Sequence, residues 1–106
     1  MDFTEEEKKA IIWSLLALAE VDGSKTMDEV RKITDISMKI GFKTSWDTLA
    51  SVNKMEPYEV YATFRSLSGE KKAFIKKSLE EVAKSDGEIN HLEKEGLFQM
   101  NHFGEL

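Results

Sequence analysis

Asp22, Glu29, Asp86 and Glu93 are the residues of this chain whose types and spacing could do chemistry. They belong to one pattern written twice: Ala19-x-x-Asp22-Gly23-x-x-Thr26-x-x-Glu29, then Ala83-x-x-Asp86-Gly87-x-x-Asn90-x-x-Glu93. Each copy puts an aspartate at the end of one expected helix and a glutamate in the first turn of the next. The last carbonyls of a helix lack intrahelical partners. Each corner would therefore gather carboxylate and carbonyl oxygens, the ligands that a hard divalent cation such as Ca²⁺ or Mg²⁺ takes. A carboxylate at a helix C-terminus also faces the negative end of the macrodipole, an unfavourable placement of about 0.3–1 kcal/mol. The chain makes that placement twice.

The same residues also have a purely local reading. Gly23 and Gly87 would stop helices, Thr26 and Asn90 would cap the next ones, and Glu29 and Glu93 would complete capping boxes. Asp22 and Asp86 would then bond turn amides, as Asp-Gly turns do. Both readings, a weak cation site or a pair of caps, fit the pattern. An EF-hand does not. Its first and third ligand positions would fall on Leu18 and Glu20 in one copy and on Val82 and Lys84 in the other, within expected helix.

Other candidates carry less. His91 stands one turn before Glu95, and His102 lies close to the end of the sequence. No nucleophile elbow, glycine-rich phosphate loop or His-Glu-x-x-His pattern is present. The two Asp/Glu pairs read as matching corners and not as one cleft, so no catalytic residue and no enzymatic activity are expected.

Composition narrows the function classes. The 106 residues suffice for one domain, spanning 1–106, with a single core. No cysteine is present, which excludes disulfides, thiolate metal sites and cysteine nucleophiles. A net charge of −5 argues against nucleic-acid binding, which needs concentrated positive charge. Lys71, Lys72, Lys76 and Lys77 are interleaved with Glu70, Glu80 and Glu81 and read as a solvated helix face. The longest apolar run, Ile11 to Ala19, is broken by Ser14 and falls well short of the ~20 residues of a membrane span. The acidic start, Asp2 to Glu7, is unlike a secretory signal, so a cytoplasmic location is expected.

The elements that position the corners read as six helices. Thr4-x-x-Glu7 opens the first, whose circumference is apolar nearly all round, as in a helix wrapped by others. It is expected to stop at Asp22-Gly23. The second runs from Thr26 to Gly41 with Val30, Ile33, Ile36 and Ile40 on one stripe. A short third starts near Ser45 and holds Trp46, Leu49 and Val52. Pro57 suits the first turn of the fourth, whose Val60, Tyr61, Phe64 and Leu67 would face inward. The fifth runs from near Ser68 to the second Asp-Gly. The sixth opens at Asn90 and carries Leu92, Leu97, Phe98 and Met100. No stretch alternates as a strand would.

Residues 11–33 laid on 75–97 match identically at Ile11/Ile75, Ser14/Ser78, Leu15/Leu79, Ala19/Ala83, Asp22/Asp86, Gly23/Gly87 and Glu29/Glu93. Two copies are too few for a solenoid. The expectation is an all-α domain in which helices one–two and five–six form equivalent pairs about an approximate two-fold.

In its two Ala-x-x-Asp-Gly-x-x-[Thr/Asn]-x-x-Glu motifs, with their helical setting, the chain resembles the TerB-like family over roughly residues 4–103. That family includes tellurite-resistance protein B and a related domain of DnaJ-like co-chaperones. The resemblance implies an all-helical, quasi-repeated domain of bacterial stress responses that assembles with protein partners. It also implies acidic patches binding metal, here at Asp22, Glu29, Asp86 and Glu93. The chain departs from the family pattern in its first copy. Glu88-Ile89 keeps the acidic-then-apolar pair that follows Asp-Gly, but Ser24-Lys25 does not, and Lys25 could neutralise that corner without metal.

Overall fold

Thr4, Thr26, Ser45, Ser68 and Asn90 each hold an extended backbone and accept a bond from an amide three residues on. Such a bond satisfies one of the free donors at a helix start. They open α1 (Glu5–Ala19), α2 (Met27–Ile40), α3 (Trp46–Asn53), α5 (Gly69–Ala83) and α6 (His91–Gly104). Pro57, with its fixed φ, opens α4 (Pro57–Arg65) instead. The computed structural model describes residues 2–21, 26–85, 87 and 89–106. All secondary structure among them is helical.

The repeat is longer than the matching letters. Helices α1 and α5 both have 15 residues, α2 and α6 both have 14, and one offset of 64 residues superposes both pairs from start to end. The N-caps Thr4 and Ser68 correspond, as do Thr26 and Asn90. So do the left-handed C-caps Gly41 (φ 73°) and Glu105 (φ 54°). Beyond those caps, Phe42 N–H donates to Ser37 O at 2.9 Å and Leu106 N–H donates to Asn101 O at 3.0 Å. These are the matching closing bonds of a Schellman turn.

Packing follows the same correspondence. Helices α1 and α5 lie against each other, and α2 and α6 each contact both. Exchanging the two pairs leaves this pattern unchanged. The segment between them breaks it, because α3 packs on α1, and α4 packs on α1 and α6. Helix α1 is therefore covered on nearly every side, which accounts for its all-round apolarity. Its outer positions Ile12, Trp13, Leu16 and Ala17 correspond to Lys76, Lys77, Glu80 and Glu81 in α5, over which, among the described residues, neither α3 nor α4 packs.

The core comprises Ile11, Leu15, Leu18, Ile36, Val60, Phe64, Ile75, Leu79 and Val82 with their neighbours. Phe3 closes one end, packing on Phe74 with ring centroids 5.5 Å apart. Gly104 is required where α4 meets α6: a Cβ there would stand 3.0 Å from Phe64 Cδ2.

Several expectations need correction. Helix α1 ends at Ala19 and not at Asp22-Gly23, and α5 ends at Ala83. Val21 N–H donates to Leu18 O, and Ser85 N–H to Val82 O. These tighter i→i+3 bonds satisfy carbonyls of the last turn before the Asp-Gly pairs are reached. Trp46 is 91% exposed and Phe98 70% exposed, because α3 and α6 present those positions outward. Leu92 and Val30 are also exposed, and Tyr61 is only half-buried. Lys71 leaves the solvated face, and its ammonium meets the Glu7 carboxylate at 3.0 Å and lies over the Phe3 ring.

Candidate acidic corners

Local structure places Glu29 and Glu93 at equivalent points, the third residue of α2 and of α6. Thr26 Oγ1 accepts from Glu29 N–H at 3.1 Å, and Glu29 Oε1 accepts from Thr26 N–H at 2.9 Å. In the second copy, Asn90 Oδ1 accepts from Glu93 N–H at 2.8 Å. The first-turn position also favours a negative charge through the helix dipole.

Both glutamates are more deeply buried than a capping role requires. Glu29 is 3% exposed and Glu93 2%, whereas Glu7, the third residue of α1 and also in a capping box, is partly exposed. Burying a carboxylate is costly unless its charge is matched. Among the described residues, no lysine or arginine forms an ion pair with Glu29. One oxygen of Glu29 serves the cap, and no described residue donates to the other.

Asp22, Asp86, Gly23 and Lys25 lie outside the described residues, so each corner is seen from its glutamate side alone. Gly87 adopts φ 98°, and its N–H donates to Lys84 O at 2.9 Å. That left-handed conformation accounts for glycine after Asp86. Among the described residues, no three His, Asp or Glu side chains converge as a metal-binding group. His91 and His102 are both exposed, and His102 stacks on Phe98 at 6.0 Å.

No protein-family model, curated protein or solved structure matches the chain.

Two features carry little signal in the sequence. One is an aromatic string across α1, α4 and α6: Trp13 meets Tyr61 edge-on at 6.3 Å, Tyr61 meets Phe103 at 5.7 Å, and Phe103 meets His102 at 5.2 Å. Burial pushes the Tyr61 phenol up from its ordinary value. The number of aromatics on α6 is the one sign of it, and periodicity alone assigns them to the core. The other is an apolar cavity between α1, α2 and α3. It depends on how three elements meet, and no spacing within one of them reveals it.

Proposed function

We propose that this chain is a non-enzymatic TerB-like domain of a bacterial stress response, cytoplasmic, holding divalent cations at its two acidic corners. Glu29 and Glu93 would be the inner ligands, and Asp22 and Asp86 would complete the two sites. The observation that carries this reading is the burial of both glutamates, to 3% and 2%, at equivalent places beside the Asp-Gly pairs. At Glu29 a hard cation would supply the positive charge that a buried carboxylate calls for, and it would use the oxygen beyond the one needed by the cap. No residue is assigned a catalytic role. Ca²⁺ and Mg²⁺ are the cations whose ligand preference fits an all-oxygen corner.

The test is an amide NMR titration with Ca²⁺, Mg²⁺ and Mn²⁺, read at Gly87. Saturable shifts, or broadening by Mn²⁺, that disappear in Asp86→Asn support the site. A flat response up to millimolar metal rejects it.

A second reading is a protein-interaction module whose Asp-Gly corners serve as caps alone. The exposure of Phe98 and Phe103 beside His102 favours it, since apolar groups gathered on a surface mark contact sites. A metal-free response to a partner, unchanged in Asp86→Asn, would select this reading.

A further inference from the structure

We propose that the cavity between α1, α2 and α3 is a binding site for a small uncharged apolar molecule about the size of a benzene ring. Its volume is about 150 Å³. An enclosed cavity of roughly that size with Leu, Ile and Phe walls stays dry and takes up benzene; this one is partly open, with the exposed Val30, Thr34 and Thr44 at its rim. Here Leu16, Ile33, Phe42 and Leu49 supply the apolar wall, with Thr34, Ser37 and the exposed Thr44 among them.

Two of the three hydroxyls are committed within the protein. Thr34 Oγ1 donates to Val30 O at 2.9 Å and Ser37 Oγ donates to Ile33 O at 2.8 Å. Each hydroxyl proton is used within α2, so neither residue offers a donor to a ligand. No charged residue lines the cavity, whereas three other cavities of the protein each carry at least one. A charged or strongly hydrogen-bonding ligand would enter unmatched, and a neutral apolar one would not.

The site is independent of the acidic corners, so its failure leaves the cation reading untouched.

The experiment is a titration of the full ¹⁵N-labelled chain with benzene and cyclohexanol, with benzoate and benzylammonium as charged controls. Expected are saturable amide shifts centred on Ile33, Thr34, Ser37 and Leu49 with the neutral probes, and at least tenfold weaker responses to the charged ones. Thr34→Phe, which writes the second repeat's residue into the first at an exposed position, should weaken benzene binding at least tenfold. Ser37→Leu, filling the floor, should do the same, and Trp46→Ala, outside the cavity, should leave binding unchanged. Shifts that rise without saturating overturn the proposal. So does equal binding of benzoate, or wild-type affinity in both filled variants that keep a cooperative thermal transition.

Discussion

The Glu7 carboxylate and the Lys71 ammonium meet at 3.0 Å, and the two residues occupy the same position in the two halves of the chain, 64 residues apart. The pair joins α1 to α5 at equivalent points of the two halves. Glu7 also accepts from Thr4 N–H at 2.8 Å, so one carboxylate closes a helix cap and bridges the halves together.

This pair predicts an acid limit to stability. Burial by itself would raise the Glu7 pKa, but the Thr4 amide, the hydrogen bond and charge of Lys71 and the Thr4 hydroxyl together bring it below its ordinary value of 4.5. A carboxyl depressed in the folded state contributes stability above its unfolded pKa and loses it as pH falls through the lower folded value. Urea denaturation should thus show a loss that begins near pH 4.5 and deepens below it, and Glu7→Gln should flatten that part of the curve. At neutral pH Glu7→Gln should cost about 1 kcal/mol. The exchange Glu7→Lys with Lys71→Glu should recover part of the loss that either change causes alone.

Gly104→Ala should destabilise by about 1–3 kcal/mol, as overpacking does. The added methyl would meet Phe64 at 3.0 Å to Cδ2 and 3.3 Å to Cβ, and Phe64 is fully buried with nowhere to move. A lowered melting temperature checks this, and Phe64→Leu in the same chain should relieve part of the clash. The equivalent residue of the first half is Ile40, so glycine is demanded by α4 and not by the repeat.

Glu105 is the one non-glycine residue with positive φ among those described, and its counterpart in the first half is Gly41. Glu105→Gly should stabilise by about 0.5–1 kcal/mol, since glycine takes the left-handed conformation without steric cost. The exchange also removes the Arg65–Glu105 ion pair, which at 3.9 Å is long, exposed and worth little. Gly41→Ala should move stability the other way by about 1 kcal/mol. Chemical denaturation of both variants measures the asymmetry directly.

Thr26→Ala should cost about 1 kcal/mol through the missing cap, with or without divalent cation. Glu29→Gln separates the two roles of that corner. If Glu29 holds a cation, added Ca²⁺ or Mg²⁺ raises the wild-type melting temperature in a saturable way and does so less in Glu29→Gln. Equal melting curves with and without metal in both proteins would leave Glu29 as a cap residue.

What is legible in the sequence is what is decided locally. Thr4, Thr26, Ser45 and Asn90 announce helix starts because a cap is a bond between residues three apart. The proline at 57 does the same through its own ring. The helix ends are less legible: Asp22-Gly23 and Asp86-Gly87 look like the stops, yet Glu20 and Lys84 already close their helices. Trp46 and Phe98 escape a sequence reading for a different reason. Periodicity shows that an apolar residue lies on a stripe, but exposure depends on whether another element covers it. The burial of Glu29 and Glu93 is hidden for the same reason, since neighbours distant in sequence bury them.

Among the described residues α3 and α4 cover α1 and leave the outer face of α5 uncovered, so the linker between the halves places them in different surroundings. A lysine or glutamate arising at Ile12 or Leu16 would meet a wall of hydrocarbon and be purged. The same change at Lys76 or Glu80 would meet water and persist. Two segments with the same backbone thus drift under different rules, and resemblance between them fades first on the outer face of α1 and α5. It lasts longest along the inner seam, where Leu15 and Leu79, or Ser14 and Ser78, still share one letter.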